Sequence, residues 1–482
     1  MKIPTLTPST CLRTGLILSL RERRLPSPSR GGKGWGWDFK VKKVIIIGGG
    51  FAGLSAAAEL SSAGFHVTLI EQRRFLGGRV YSYFDKNTGL ELDNGQHILM
   101  GCYENTFRFL EKIGVINKLY FQKNLCVDFL DTRGNACRLN CLPLPAPFHI
   151  LSGILRFKAI SLSERIRMLN MAKGVMFGNT TNSSHDLTIT EWLKRLGQGE
   201  KARETLWDII TLATMNEHPD KSSAAIFMNV MKKAFFSHRR NSRIVLPVVP
   251  LSRLFAEAAE TYIRQNGGST EKGSAVEALL AVNNSVSGVK LKDGRTLQGD
   301  YYISAVPYYS VQRLFAGTGF SGTEFNSVPA LQPSPIISIH LLFNMPLTKH
   351  TFVALLNSPI QWVFNKEKIF RDTAYRGLLS LVISGAHRYI DVPSEKLVEM
   401  ALSELKKVFP DTSPARLLCC KVIKERHATF SPQPGIDKHR PSQKTPIKNL
   451  FLAGDWTDTG LPATIEGAVL SGHKCAKAIV ST

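Results

Sequence analysis

The stretch VIIIGGGFAG, residues 44–53, decides the fold of this chain. Its first four residues are β-branched, which is typical of a parallel strand buried on both faces. The glycines that follow match the pattern G-x-G-x-x-G at Gly48, Gly50 and Gly53. In this pattern Gly48 permits a tight turn, Gly50 lets the backbone approach a pyrophosphate, and Gly53 allows close packing of helix on strand. The stretch therefore predicts the start of a dinucleotide-binding βαβ unit.

The residues after this pattern complete the unit. Residues 54–60 are rich in alanine and predict a helix, and residues 66–70 predict a second strand that leads into Glu71. The N-terminus of the helix, at Phe51 and Ala52, would present free N–H groups and a positive dipole end to phosphates. Glu71 lies where an acidic residue accepts hydrogen bonds from a ribose diol. The sequence thus predicts an α/β chain with a Rossmann-like domain.

The composition excludes several classes of protein. The chain has 482 residues, of which 43% are apolar and 21% charged, so it has material for a large core and is not low-complexity. The net charge is +23, and residues 1–43 contribute ten basic and two acidic residues to it. Residues 1–42 lack the period of a helix or a strand and are predicted to form a disordered leader. No nucleic-acid-binding motif accompanies the charge, so nucleic acid is not a predicted partner.

Cysteine content and hydropathy indicate the compartment. Eight cysteines with no C-x-x-C pair favour a reduced cytoplasmic protein, and no metal site is predicted. No uncharged apolar stretch reaches the roughly 20 residues of a membrane-spanning helix.

Motifs at opposite ends of the chain narrow the choice of dinucleotide cofactor. A glycine-rich segment, FLGGRV, follows Glu71 at residues 75–80. Near the C-terminus, residues 449–456 read as a strand that ends in an acidic residue, and a last helix opens within residues 460–468. Together with the βαβ unit, these motifs resemble the flavin-dependent amine oxidase and phytoene desaturase superfamily.

The resemblance implies bound FAD, and we expect it to be noncovalent because no cysteine lies near residues 455–466. Beside the fingerprint residues Gly48, Gly50, Phe51, Ala52, Gly53 and Glu71, it assigns FAD contacts to Gly77, Gly78, Arg79, Val276, Gly454, Asp455, Ile465 and Glu466. Asp455 would hold the ribitol, and the helix that starts at Ile465 would point its N-terminus at the flavin C2 carbonyl. A positive dipole end there stabilises the negative charge of reduced flavin.

The resemblance also implies two interleaved domains. The FAD-binding domain is expected to be discontinuous, over residues 43–130, 245–310 and 415–482. An α+β substrate domain is expected at residues 131–244 and 311–414.

A narrower resemblance concerns the reaction. Residues 93–101, 212–216, 246–254 and 454–466 resemble the squalene-associated FAD-dependent desaturases, also described as hydroxysqualene dehydroxylases. This implies reductive removal of the hydroxyl of hydroxysqualene to give squalene, on a route to hopanoids or related triterpenoids. The reductant that regenerates the flavin is an unidentified electron donor.

Such a reaction needs an acid near the hydroxyl, because a protonated allylic alcohol leaves as water. His97 and Glu217 are the candidates from the sequence. Each also has a structural interpretation, His97 as a hydrogen-bonding residue beside a flavin loop and Glu217 as a solvated charge.

Two alternatives remain open from the sequence. A carotenoid or phytoene-type desaturase or isomerase would use the same fold to act on a polyene. A flavin-less isoprenoid-binding carrier would keep the fold without the chemistry, although the intact glycine pattern, Glu71 and Asp455 oppose it.

The long isoprenoid substrate implies a membrane surface. Residues 141–155 are apolar and are followed by Arg156 and Lys158, and residues 232–243 form a second basic cluster. Apolar residues flanked by cations are typical of interfacial contact, although a core segment has the same composition. The sequence predicts a cytoplasmic protein, peripheral on the inner face of the cytoplasmic membrane.

Overall fold

The fold was obtained as a computed structural model that describes residues 41–133, 135–177, 187–316, 318, 328–410 and 414–482. The predicted leader therefore lies outside the described residues, except for its last two positions. Residues 41–482 form one compact unit.

The strands, in chain order, are β1 (Lys43–Ile47), β2 (His66–Glu71), β3 (Ser82–Asp85), β4 (Leu90–Asp93), β5 (Leu99–Met100), β6 (Leu119–Phe121), β7 (Cys126–Asp131), β8 (Ala136–Asn140), β9 (Ile244–Pro247), β10 (Ser269–Lys272), β11 (Val276–Val282), β12 (Ser285–Leu291), β13 (Thr296–Leu297), β14 (Tyr301–Ser304), β15 (Pro333–Phe343), β16 (Phe352–Leu356), β17 (Trp362–Asn365), β18 (Leu378–Ser384), β19 (Leu417–Phe430) and β20 (Leu450–Leu452).

The longer helices are α1 (Phe51–Ser62), α2 (Glu104–Lys112), α3 (Phe148–Arg156), α4 (Leu162–Phe177), α5 (Ile189–Arg195), α6 (Asp208–Met215), α7 (Ala224–Met231), α8 (Glu257–Gln265), α9 (Tyr308–Phe315), α10 (Lys366–Phe370), α11 (Ser394–Val408) and α12 (Ile465–Val480). Short helical turns lie at Ile116–Lys118, Glu200–Ala202, Arg203–Trp207, Lys232–Phe236, Arg239–Ser242, Ser252–Ala256, Val328–Ala330, Thr373–Tyr375 and Ile436–His439.

The predicted βαβ unit lies at the centre of a parallel sheet of order β10-β2-β1-β14-β20. Its strands come from distant parts of the chain, and β1 pairs in parallel with both β2 and β14. Residues 44–47 are buried, as the β-branched run predicted. The α/β fold class predicted from the sequence is the class of the structure.

The turn from β1 into α1 depends on close backbone contact. A Cβ at Gly53 would lie 2.0 Å from the Gly48 carbonyl oxygen, so only glycine lets α1 pack this tightly on the strand. On its other side α1 packs against α12, where Ser55 Oγ donates to the Val469 carbonyl at 3.3 Å. The two helix N-termini are thereby brought to one edge of the sheet.

A second sheet has the order β19-β15-β18-β17-β16-β7-β8. It includes β7 and β19, although residues 126–130 and 415–430 fall inside the domain predicted to bind FAD. The reason is the long antiparallel ladder between β15 and β19, which runs from Pro333 opposite Phe430 to Phe343 opposite Leu417. The predicted boundaries at 130/131 and 414/415 do not follow this sheet, and the division into two domains stays a prediction.

Helices α3 to α7 follow β8 and precede β9 in the chain. The small sheet β5-β9-β6 joins residues near 100, 120 and 245. The largest buried apolar cluster spans the second sheet, these helices and part of the parallel sheet. A separate apolar cluster packs around α1, α8 and α12.

Candidate active site

The first cavity, here the nucleotide cavity, lies at the carboxyl edge of the parallel sheet and is lined by Gly48, Gly50, Glu71 and Val276 among others. Ligands of doubly wound folds bind at this edge, because loops after the strands meet there. Glu71 is 7% exposed, and its carboxylate accepts hydrogen bonds from the Gly49 N–H at 2.8 Å and the Arg73 N–H at 2.9 Å. Each carboxylate oxygen keeps a lone pair for a ribose hydroxyl.

Two glycine-rich loops meet at the wall of this cavity. A Cβ at Gly78, whose φ is +61°, would lie 3.0 Å from the Gly50 Cα, and the Gly77 N–H donates to the Gly49 carbonyl at 2.8 Å. Helix α1 begins beside this contact without a side-chain cap. The first-turn N–H groups, at Phe51, Ala52 and Gly53, are those that a helix leaves free for an anion. This bare backbone fits a dinucleotide pyrophosphate.

Arg79 separates the nucleotide cavity from a second one. Its guanidinium bonds both oxygens of Asp455 at 2.7 Å and the Ala428 carbonyl at 2.7 Å. Burial alone lowers the pKa of Arg79, but the Asp455 carboxylate outweighs it and leaves the pKa raised. Asp455 is 5% exposed, so the pair holds two loops together in a largely buried site.

The central cavity is the second one, and it is lined by Phe51, Arg79, His97, Asp455 and Ile465 among others. Several residues assigned to FAD from distant parts of the sequence therefore meet here. Gly454 does not line the central cavity. Its N–H donates to Ser471 Oγ on α12 at 3.0 Å.

His97 lies in the central cavity, where burial lowers its pKa to about 4. Its imidazole is therefore neutral near pH 7 and accepts or donates a hydrogen bond but does not serve as a charged acid. The geometry favours the hydrogen-bonding interpretation of His97 over the catalytic one.

The loop that carries His97 is anchored by a buried ion pair. Lys366 Nζ lies 2.8 Å from Asp93 Oδ2 and 2.9 Å from Gln96 Oε1, and the Lys366 and Asp93 side chains are 2% and 3% exposed. Burial raises the pKa of Asp93, but Lys366 more than compensates and the pKa is lowered overall. Gln96 lines the central cavity, so this pair fixes part of the cavity wall.

Glu217 lies elsewhere. It is 1% exposed, and its carboxylate accepts from Ser431 Oγ at 2.7 Å, from the His218 N–H at 2.9 Å and from His387 Nε2 at 2.9 Å. Burial by itself raises the pKa of Glu217, but the hydrogen bonds together lower it by more. The net pKa is therefore below its ordinary value, and the carboxylate stays ionised. It is absent from the residues that line the three cavities described here. The interpretation of Glu217 as a solvated charge is wrong, because tertiary contacts bury the residue and satisfy its charge. Its role as a catalytic acid stays a prediction.

The Glu466 side chain caps a neighbouring helix, α2. Its carboxylate accepts from the backbone and side chain of Asn105 at 3.1 and 2.8 Å, and from those of Thr106 at 2.9 and 2.8 Å. Both of its oxygens therefore cap the N-terminus of α2. Towards the central cavity α12 presents Ile465 and the backbone of its first turn, whose N-cap is Thr464.

A third cavity, the apolar cavity, continues from the central one. The two share a set of lining residues, namely Ile98, Tyr103, Ala213, Thr214, Trp362 and Thr464. Beyond this junction the walls come from β7, α3, α4 and the turn Lys232–Phe236, with side chains such as Phe129, Ile150 and Met168. The apolar cavity and the central cavity are thus adjacent, with Tyr103 and Trp362 at their boundary.

Tyr103 is the functional candidate that the sequence did not reveal. It lines both cavities at their junction, and burial raises the pKa of its hydroxyl, which therefore stays protonated. No local pattern distinguishes this tyrosine from a packing residue. One of its neighbours at the junction, Trp362, lies on β17, more than two hundred residues away in the chain.

Two chemistries find no support within the part of the chain that the structure describes. No group of three or more His, Cys, Asp or Glu side chains is arranged to hold a metal ion there. Cysteine is absent from the side chains that line the central cavity, so a thioether link to a ligand has no partner there.

Comparison with known proteins agrees with this geometry. Residues 51–480 match the family model described as flavin containing amine oxidoreductase. The chain is 31% identical to 15-cis-phytoene desaturase of an Oncidium hybrid cultivar, over 92% of this chain and 78% of that protein. It is 28% identical to hydroxysqualene dehydroxylase of Rhodopseudomonas palustris, over 91% of this chain and 99% of that protein. A solved structure of a putrescine oxidase triple mutant has a TM-score of 0.72 at 15% identity, covers 91% of this chain and 99% of that one, and shows the same fold.

These matches resolve the cofactor, since the bare helix start, the paired glycine loops and the Arg79–Asp455 contact fit FAD and the family binds a flavin. The chain is an FAD-dependent oxidoreductase and belongs to the flavin containing amine oxidoreductase family.

Proposed function

We propose that this enzyme acts on a long isoprenoid and reductively removes the hydroxyl of hydroxysqualene to give squalene. The observation that carries the proposal is the apolar cavity that opens into the central cavity through shared lining residues. A squalene-sized chain needs such a dry tunnel leading to the flavin.

The lining of the apolar cavity favours a hydrocarbon chain over an amine. Among the described residues that line it, Lys233 and Glu466 alone carry a formal charge, and the Glu466 carboxylate is bonded to α2. A buried cationic amine would need a free anionic partner, and the single carboxylate of this lining is already used by α2.

The central cavity favours a substrate with a hydroxyl group. Its wall carries polar side chains, among them Gln96, His97, Thr214 and Ser338. The flavin takes up some of their hydrogen-bonding capacity, and a pure hydrocarbon would leave the remainder unused at a cost. An allylic alcohol can use it.

Tyr103 at the junction and His97 in the central cavity then have separate roles. Tyr103 transfers its hydroxyl proton to the departing oxygen as the C–O bond breaks, so that water leaves, and the tyrosinate regains a proton from solvent after the product has left. Neutral His97 accepts a hydrogen bond from the departing water. The apolar walls exclude bulk water from the allylic cation, which would otherwise be captured. Bound FAD, in its reduced form, supplies the hydride that forms the new C–H bond. The oxidised cofactor must be reduced again by an electron donor that is not identified.

Desaturation of a phytoene-like polyene is the second candidate function. The chain is 31% identical to a plant phytoene desaturase, a similarity as strong as that to the dehydroxylase. That reaction removes hydrogen from the substrate and needs an acceptor, so the redox direction separates the two.

We further propose that the enzyme is peripheral on the inner face of the cytoplasmic membrane, because its substrate partitions into the bilayer. Among the described residues, no helix is long and apolar enough to cross a membrane.

The test is turnover by the FAD-loaded enzyme in two anaerobic assays. With hydroxysqualene and a chemical reductant such as dithionite, the proposal expects squalene, detected by gas chromatography. With phytoene and a quinone acceptor, it expects no desaturated product. Product only in the second assay would establish the desaturase, and a purified protein that is colourless and does not take up FAD would revive the carrier.

A further inference from the structure

Helices α3 and α4 are apolar on two opposite sides. Their inner sides, at Ile150, Ile154, Met168 and Ala172, line the apolar cavity. A helix with a single buried face needs only one apolar stripe. The second stripe on these helices therefore requires a separate explanation.

The outer stripe is exposed. Phe148 is 60%, Leu155 44%, Leu162 62% and Ile166 49% exposed. Leu142 and Leu144, on the segment before α3, are each 39% exposed, so six of the fourteen large apolar side chains exposed in the described part of the chain fall within 142–166. We call these six residues the outer patch. Clustering of this kind marks an interaction surface, whereas scattered single residues do not.

Basic residues lie near the outer patch in the chain and in a segment that packs against α3. Segments 141–169 and 232–243 contain nine Lys or Arg residues and one acidic residue, Glu164. The two segments pack together, with His149 Nε2 3.1 Å from Ser242 Oγ. Lys158, Lys233 and Arg240 are exposed, and no ion pair joins them to another described residue. This charge is complementary to an anionic surface.

We propose that the outer patch docks this enzyme on an anionic lipid bilayer, so that the wall of the apolar cavity lies against the membrane. The proposal rests on the proposed function in one respect, since an isoprenoid dissolved in the bilayer is the cargo that such contact would deliver. Apolar side chains enter the interface between acyl chains and headgroups while the surrounding cations bind lipid phosphates. Helices α3 and α4 then lie between lipid and cavity on this side.

The experiment measures binding of the full-length FAD-loaded protein to vesicles. The probes are vesicles of phosphatidylcholine alone and vesicles with equal parts of phosphatidylglycerol, in a co-sedimentation assay. The double variant Phe148→Ser/Leu162→Ser removes two outer-patch side chains that do not line the cavity. The matched control is Phe84→Ser/Leu418→Ser, whose side chains are 66% and 54% exposed elsewhere on the molecule.

We expect wild type and control to bind the anionic vesicles, and to bind neutral vesicles more weakly. The outer-patch variant should partition at least about 10-fold more weakly, since two large apolar side chains leave the lipid. Its flavin absorbance spectrum and its turnover of detergent-solubilised substrate should equal those of wild type, because detergent bypasses the membrane step.

Equal vesicle binding by both double variants would overturn the proposal, as would failure of the wild type to bind anionic vesicles. A wild-type dimer that dissociates in the outer-patch variant would also overturn it and assign the patch to self-association. Vesicle binding is read without substrate, so a failed hydroxysqualene assay would refute the proposed reaction and leave the docking result standing.

Discussion

Carboxylates of the same sequence type have different roles in this molecule, and their partners decide which. Glu71 accepts two backbone N–H groups at the end of a strand and faces the nucleotide cavity. Asp455 shares both oxygens with Arg79. Glu217 is fully used by Ser431 and its other donors and takes no part in lining the cavities. The sequence identifies an acidic residue, but its chemistry depends on the donors around it.

Tyr103 is the residue on which the proposed chemistry can be tested most directly. Tyr103→Phe removes the hydroxyl at the junction and keeps the ring. We expect kcat with hydroxysqualene to fall about 10- to 100-fold, because proton transfer to the departing oxygen acts mainly in the transition state. The KM should change by less than about threefold, since the apolar contacts remain.

The control for this change is Tyr120→Phe on β6, which is 42% exposed and does not line the three cavities. Unchanged kcat in Tyr103→Phe would exclude the hydroxyl from the reaction.

At the scale of elements, one carboxylate joins two helices. Glu466 lies in the first turn of α12 and caps the N-terminus of α2 with four hydrogen bonds. The residue that follows α2's own N-cap, Glu104, is exposed. The orientation of α12 towards the central cavity is thus coupled to α2, which carries Tyr103 at its N-cap.

Glu466→Ala should destabilise the fold by roughly 2 kcal/mol, because it leaves buried donors at the α2 N-terminus without a partner. Urea unfolding of the FAD-loaded protein measures the change. Glu104→Ala is the matched control on the same helix turn and should change the free energy of unfolding by less than about 0.5 kcal/mol. Equal effects of the two substitutions would show that the cap does not matter.

At the scale of the whole molecule, folding buries two histidines, His97 and His340, and burial favours their neutral imidazole form. Burial lowers the pKa of His340 to about 4, as it does for His97, from an ordinary value of 6.5. His340 is 2% exposed and lies 2.8 Å from Ser380 Oγ through Nδ1. Between pH 6.5 and 4 the unfolded chain binds protons that the folded chain does not. Stability from these histidines is therefore complete above pH 6.5 and is lost as the pH falls towards 4.

His340→Gln should reduce this loss. We expect the dependence of unfolding free energy on pH, between 6.5 and 4.5, to be smaller by about 1 kcal/mol per pH unit in the variant. Urea unfolding across that range is the measurement, with saturating FAD present. His66→Gln, at an exposed histidine, is the control and should keep the wild-type slope. If the unfolding free energy of His340→Gln changed with pH as steeply as that of the wild type, His340 would not be the source of this pH dependence.

The sequence by itself determined the βαβ unit and with it the fold class. Residues 44–53 encode a buried strand, a tight turn and a helix start through steric and hydrogen-bonding rules that act within a few residues. The motif that contains Asp455 could also be recognised from the sequence, because its residues are close together in the chain. The resemblance of these motifs to those of a flavoenzyme family then predicted FAD as the cofactor. The family match confirms this prediction.

Only the tertiary structure decided how the site is built. Arg79 meets Asp455 across 376 positions of sequence, and Glu466 meets Asn105 across 361. The strand β19 joins the second sheet because its partner β15 lies about eighty residues earlier. The junction at Tyr103 and the outer patch on α3 and α4 depend on which faces pack inwards. Burial and hydrogen-bond partners are properties of the packed chain, so they place Tyr103 at the junction and fix the contacts of Glu217 and Glu466, which sequence patterns did not predict.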